Sequence, residues 1–232
     1  MTGGARRIGR GIALALARAG ADVTITYRSS ADEAAAVVRE MEALGRKAQA
    51  VACNVRDEAE VRAAVAATAA FHGRLDILVN NAGVFESAPL ATMTLEEWDR
   101  VHQTNARAPF LFAREALPYL KAARGRIVIM GSLGGLQPWP EHAHYCSSKA
   151  AAHMLTKVMA KALAPEITVN AIAPGFIEFD DAGGAPAGRS RSQTPVARNG
   201  NAEDIAEAVL YFVTNSGYVT GQILAVDGGL GL

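Results

Sequence analysis

The sequence predicts an α/β protein, a doubly wound parallel sheet covered by helices in three layers, and two observations carry that expectation. Short apolar, β-branched runs alternate with longer amphipathic segments along the chain, the pattern of repeated β-α units. Half of the 232 residues are apolar, enough for one sizeable core, and no linker-like stretch interrupts the alternation. A single domain over residues 1–232 is expected.

Taken in order, residues 9–19 are an Ala- and Leu-rich helix stopped by Gly20, and Val23–Tyr27 (VTITY) alternates as a strand does. Ser30 followed by Glu33 has the form of a capping box opening a helix that closes near Gly45. Residues 48–53 form a short strand, and Asp57 starts a helix that runs to about Phe71. Residues 75–79 (LDILV) read as a buried strand running into Asn80-Asn81-Ala82-Gly83. Thr94 and Glu97 make a second capping box, ahead of a helical region expected to break near Pro109 and Pro118. Strand 126–130, a helix to about residue 164, and strand 167–172, stopped by Pro174-Gly175, follow. Residues 176–201 are rich in Gly, Ala, Pro, Ser and Arg without a period, and read as a flexible, substrate-binding loop. An amphipathic helix over 202–214 and a strand over 222–226 complete the chain.

Composition narrows the function. The formal net charge is zero, against a nucleic-acid or anionic-membrane partner. Cys53 and Cys146 sit in no CxxC or Cys/His cluster, so neither a disulfide framework nor a metal site is expected. No apolar stretch approaches ~18 residues, and MTGGARRIGR has no apolar signal core, so a cytoplasmic setting is expected.

Two stretches carry chemistry. Thr2-Gly3-Gly4 opens the first helix, where glycines let a backbone approach a pyrophosphate and free N–H groups favour the anion. Arg6 and Arg7 add cations at that turn. Only Met1 precedes it, so the strand expected at the centre of the sheet is missing, as in a chain that starts inside its natural sequence. At the end of the second β-α unit's strand stand Arg28, Ser29 and Ser30 with no acid; arginine there suits a 2′-phosphate, which favours NADP over NAD. In the second stretch, Tyr145 and Lys149 are four residues apart on a helix, hence on one face, and Ser132 ends the preceding apolar run. A phenol, an ammonium and a hydroxyl meeting at a sheet edge can transfer a proton.

TGGARRIG at 2–9, NNAG at 80–83, Asn105, Ser132, YCSSK at 145–149, APG at 173–175 and the terminal VDGG together resemble the short-chain dehydrogenase/reductase family over essentially the whole chain. The resemblance implies a Rossmann-type fold, NADP(H) as cofactor, and Asn105, Ser132, Tyr145 and Lys149 as the catalytic group. Tyr145 would be the general acid, its phenolate favoured by Lys149; Ser132 would bind the substrate oxygen; Asn105 would hold a water that relays protons to Lys149. It also implies cofactor contacts from Gly3, Arg6, Arg7, Ile8, Gly9, Arg28, Ser29, Asn54, Val55, Asn81, Ala82, Gly83, Tyr145, Lys149, Pro174, Gly175 and Ile177.

Two residues depart from the family pattern. Arg7 replaces the usual second glycine of the turn, as in the pteridine-reductase branch, and Asn54 replaces the usual aspartate near the adenine. The expected activity is NADPH-dependent reduction of a carbonyl, with 3-oxoacyl thioesters as candidate substrates. A pterin-type C=N reductase and a non-catalytic nucleotide-binding protein are the alternatives. Arg189, Arg191 and Arg198 could meet an anionic substrate or carrier, although solvated loop charges are the plainer reading; Trp139 and His142 could wall the pocket. His144 and His153 read as structural or surface residues, and Met154, Leu155 and Val158 as core or subunit contact. Family members commonly form homotetramers through the helices around 94–122 and 143–163.

Overall fold

The computed structural model describes residues 1–179 and 193–232. Its helices are α1 (Arg7–Arg18), α2 (Ala31–Ala43), α3 (Glu58–His72), α4 (Leu95–His102), α5 (Ala108–Ala123), α6 (Ala143–Leu163) and α7 (Ala202–Thr214). The strands are β1 (Val23–Tyr27), β2 (Ala48–Ala52), β3 (Ile77–Asn80), β4 (Arg126–Met130), β5 (Thr168–Pro174) and β6 (Ile223–Val226), and every pairing between them is parallel.

The α/β, doubly wound arrangement matches the expectation, and the sheet comes in two parts: β1–β2, and β3–β4–β5–β6 in that order. The backbone of Met1 and Thr2 joins them. Thr2 N–H donates to Val79 C=O at 2.9 Å, while Met1 C=O accepts from Thr26 N–H at 2.9 Å. Behind this bridge, where no strand stands among the described residues, lies a cavity of about 370 Å³ lined by Val23, Thr24, Val79, Phe112 and others.

Residues of β4 alternate between two cores, as a period of two requires. Val128 and Met130 pack with Ile12, Leu16, Ile205 and Phe212 from α1 and α7. Ile127 and Ile129 pack with Val65, Leu111, Phe112 and Leu120 from α3 and α5. The sheet is therefore the middle of three layers, and its strand ends face one cleft.

Local signals explain most helix boundaries. Asp57 Oδ1 accepts from Ala59 N–H (2.8 Å) and Glu60 N–H (3.0 Å), and the Thr94/Glu97 capping box forms. An equivalent box, Asn201 with Asp204, opens α7 and was not foreseen. The expected Ser30 cap does not form: Ser30 makes no side-chain cap bond, and α2 begins without one. The predicted break near Pro118 fails, whereas the helical region is interrupted close to Pro109. Pro109 lies in the first turn of α5, where its missing N–H costs nothing, and Pro118 is carried inside the helix. The actual interruption is one π-turn, Gln103–Arg107, between α4 and α5. Of the expected flexible loop, residues 180–192, with Arg189 and Arg191, lie outside the described residues; on its flanks Ile177 bridges Gly200.

Candidate active site

One cleft of about 710 Å³ runs across the strand ends. Its described lining includes Arg6, Arg7, Arg28, Arg56 and Lys149 and no Asp or Glu, so it favours an anionic occupant. Every residue expected to contact a cofactor lines it: Gly3, Arg6, Arg7, Ile8, Gly9, Arg28, Ser29, Asn54, Val55, Asn81, Ala82, Gly83, Tyr145, Lys149, Pro174, Gly175 and Ile177. Ser132 lines it too, and Asn105 lies directly behind, next to Thr104 in its wall.

The glycine turn is held by close packing. Gly3 has φ +64°, and a Cβ on Gly9 would stand 1.9 Å from Gly3 O, so a side chain there would push the turn open. Arg7, at the position of the family's usual glycine, itself adopts left-handed φ (+52°), and its guanidinium sits 5.1 Å from the Phe179 ring centroid. Thr2 Oγ accepts from the backbone N–H of both Asn81 and Ala82 at 2.9 Å, and Asn81 Nδ2 donates to Gly3 O at 2.8 Å. The turn and the NNAG segment are thus fastened together by residues nearly eighty positions apart.

Arg28 and Ser29 are exposed at the mouth of the cleft, and among the described residues Arg28 has no ion-pair partner. Arg6 is exposed as well and stands 3.7 Å from Glu33, a pair too solvated to hold it tightly. Asn54 faces inward with its Oδ1 accepting from Arg56 N–H at 3.2 Å. Arg198, a possible anion contact, is bound instead to Asp204 through two bonds of 2.7 and 2.6 Å.

The other end of the cleft is polar, buried and tightly bonded. The π-turn rotates Asn105 inward, where its Oδ1 accepts from Val84 N–H (2.9 Å). Its Nδ2 donates to Val84 C=O (2.9 Å) and to Ser148 Oγ (3.1 Å). A Cβ on Gly83 would lie 3.2 Å from Asn105 Oδ1 and 3.5 Å from Lys149 Nζ, so all three groups meet there. Lys149 Nζ donates to Met130 C=O at 2.8 Å, and burial lowers its pKa from 10.5 to about 8.

Tyr145 is 9 % exposed, and burial raises its phenol to about 12; a hydrogen bond with Ser132 opposes the rise only in part. The expectation that Lys149 favours the phenolate is not met in the protein alone. Lys149 Nζ lies 5.9 Å from the ring centroid and is turned to Met130, so desolvation outweighs its charge.

Two contributors, Ser148 and Phe85, were not singled out from sequence, and a third, His153, was expected to be structural or at the surface. Ser148 links Asn105 to Tyr145, donating to Tyr145 C=O at 2.7 Å. Phe85 meets Tyr145 edge-on at 4.8 Å. His153, 4 % exposed, accepts from Ser132 N–H at 3.4 Å, and its ring fills the space beside Gly131 and Gly135. A histidine four residues after Lys149 faces the same way on α6, which was the available signal.

A glycine-cradled cleft over parallel strand ends, with no acid among its described lining residues and with a tyrosine and a lysine one helical turn apart, defines a dinucleotide-dependent oxidoreductase. Comparison with known proteins specifies it. A family described as enoyl-(acyl carrier protein) reductase matches residues 3–231. The chain is 39 % identical to a 3-oxoacyl-[acyl-carrier-protein] reductase of Staphylococcus aureus over 99 % of this chain and 96 % of the relative. It is 38 % identical to one from Synechocystis, covering 99 % and 95 %. Among solved structures, a short-chain dehydrogenase from Burkholderia cenocepacia in complex with NADP is 41 % identical with TM-score 0.93, covering 100 % of this chain and 96 % of that one. A Serratia marcescens short-chain dehydrogenase/reductase is 36 % identical with TM-score 0.94, over 100 % and 96 %. This chain belongs to the short-chain dehydrogenase/reductase family. Among the described residues there is no cluster that could hold a metal ion and no helix long and apolar enough to cross a membrane.

Proposed function

We propose that this protein reduces a carbonyl to an alcohol with NADPH, and that 3-oxoacyl thioesters are its candidate substrates. The observation that carries this reading is the convergence of Ser132, Tyr145 and Lys149 at one end of a cleft whose other end is a glycine cradle ringed by arginines. The residues fit the cofactor: Gly3 and Gly9 leave room for a pyrophosphate, Arg28 and Ser29 suit a 2′-phosphate, and the described lining of the cleft holds no Asp or Glu. NADPH supplies the hydride when bound.

Tyr145 and Ser132 present two hydroxyl groups to a carbonyl oxygen. With its pKa raised, the phenol stays protonated at neutral pH and donates as that oxygen gains charge. Lys149 is charged below about pH 8 and gives up its proton more easily than an ordinary lysine, so it is the next donor in line. Asn105 fixes the Val84 backbone and Ser148 around it, a positioning role that also leaves one lone pair for the expected relay water.

NADPH oxidation assayed across simple ketones, a 3-oxoacyl thioester, an enoyl thioester and a pterin tests the reading. Turnover of the enoyl thioester or pterin without any carbonyl compound would overturn it. The C=N alternative is favoured by one feature, the left-handed Arg7 held at Phe179 in the lining of the cleft. A non-catalytic nucleotide-binding role predicts that Tyr145→Phe changes nothing measurable.

The protein is read as a cytoplasmic homotetramer or homodimer, one domain per chain. Leu95, Phe110, Met154 and Val158 are 74, 44, 58 and 55 % exposed on α4, α5 and α6, a run of apolar side chains suited to subunit contact. Sedimentation tests the assembly, and a monomer at micromolar concentration contradicts it.

A further inference from the structure

We infer that His153 is a positioning residue for the reaction: from behind the site it fixes Ser132 against Tyr145, so that both hydroxyl groups reach one carbonyl oxygen. The inference rests on the carbonyl-reductase reading and adds to it a residue outside the lining of the cleft.

Three residues on one face of α6 hold the turn that follows β4. Tyr145, Lys149 and His153 stand at intervals of four, so each lies about one helical turn beyond the last. Lys149 Nζ donates to Met130 C=O at 2.8 Å, and Tyr145 shares a hydrogen bond with the Ser132 side chain. His153 Nε2 accepts from Ser132 N–H at 3.4 Å. Ser132 also has two local ties: its Oγ accepts from Gly134 N–H at 3.0 Å, and its C=O accepts from Gly135 N–H at 2.9 Å. These local bonds shape the turn over 132–135 but leave its position relative to α6 unset. The contact with His153 supplies that position, from the same helix face that carries the phenol.

A bond of 3.4 Å is long, and packing adds what it lacks in strength. A Cβ on Gly131 would stand 2.1 Å from His153 Nε2, and one on Gly135 would stand 2.7 Å from its Cε1 and 2.9 Å from its Nδ1. The ring therefore fills the gap between the two glycines that bracket Ser132, and a side chain at either would displace it. Its protonation state completes the fit. Burial first, and the Lys149 charge second, lower its pKa to about 4, so at neutral pH the ring keeps a lone pair on Nε2 and its one proton on Nδ1. An apolar side chain of similar size could fill the same space, but it would take the acceptor away from a buried N–H. The turn would then settle elsewhere against α6, and a reacting group displaced by ~1 Å can cost ~10²-fold in rate.

The test measures turnover of ethyl 3-oxobutanoate and a 3-oxoacyl thioester at saturating NADPH in wild type, His153→Leu, His153→Gln, Ser132→Ala and the double variant Ser132→Ala/His153→Leu. His153→Leu is expected to lower kcat about ten- to hundredfold with NADPH affinity unchanged. His153→Gln, whose amide oxygen can accept the same bond, should recover most of that loss. In the Ser132→Ala background, adding His153→Leu should cost less than about twofold, because the hydroxyl it would misplace is already gone. Losses that multiply in the double variant, or an unchanged kcat in His153→Leu, overturn the inference and leave the carbonyl-reductase reading standing. A wild type that reduces no carbonyl compound overturns that reading, and the inference with it. Should His153→Leu not fold, the tautomer of the wild-type ring, read from nitrogen-15 chemical shifts of labelled histidine, decides: a proton on Nδ1 supports the bond to Ser132, and a proton on Nε2 refutes it.

Discussion

The two ends of the cleft are built by opposite means. At the nucleotide end the groups that would meet the cofactor are backbone and exposed cations: a glycine turn, and Arg6, Arg7 and Arg28 in solvent. This end rests on a two-stranded sheet joined to the rest through Met1 and Thr2. At the catalytic end Asn105, Ser132, Ser148 and Lys149 are all at most 5 % exposed, each bonded to another part of the site, over a continuous four-stranded sheet. Exposed charge binds phosphate adaptably and weakly per contact, while buried polar groups hold one geometry and are costly to orphan. Substitutions at the nucleotide end should therefore change affinity, and those at the catalytic end should change rate or stability.

The largest expected contrast comes from Tyr145→Phe. Removing the proton donor should lower kcat by ~10²–10⁴-fold with NADPH affinity unchanged, measured by steady-state turnover and by fluorescence titration of the cofactor. Retained turnover would break the assignment of the catalytic end.

A pH effect follows from His153. Burial first, and the Lys149 charge second, depress its pKa from 6.5 to about 4. Between those values the unfolded chain binds a proton that the folded one rejects. Its contribution to stability is thus full above pH 6.5 and is lost as pH falls from 6.5 towards 4, by about 3 kcal/mol in all. In His153→Asn the fall in melting temperature between pH 7 and pH 4.5 should be smaller than in wild type; equal slopes would remove His153 from the account.

Asn105→Ala should cost about 2 kcal/mol, because Val84 loses the side-chain partners of both its N–H and its C=O. The denaturation midpoint should drop at constant m-value, and kcat should fall with it as the Val84 segment loosens. The smallest effect belongs to the exposed end. Arg28→Ala should raise the KM for NADPH about tenfold, roughly the loss of one charge-assisted hydrogen bond, and leave that for NADH unchanged. Equal effects on the two cofactors would place the 2′-phosphate elsewhere.

Much of this was legible beforehand because it depends on short-range rules. The capping box at Thr94, the cap at Asp57 and the alternation of Val23–Tyr27 are written within a few residues. Ser30 shows the limit: the right residue type stood at the right spacing, but its backbone (φ −100°, ψ 61°) does not present the hydroxyl to α2. Pro118 shows another, since a helix can carry proline when packing against neighbours supports it, and the interruption stands at the π-turn just before Pro109 that aims Asn105. The direction of the Tyr145 pKa shift was missed because spacing places Lys149 nearby but cannot measure desolvation.

The sequence by itself determined the repeated β-α pattern, the glycine turn that opens α1 and the placing of Tyr145 and Lys149 on one helix face, all products of local periodicity and residue chemistry. Tertiary structure alone decided that Thr2 clasps Asn81 and Ala82, that His153 backs Ser132, and that Phe85, Trp139 and Phe176 line up beside the phenol. Each of these joins residues from separate elements, and their contact depends on strand order and packing, which no local pattern encodes.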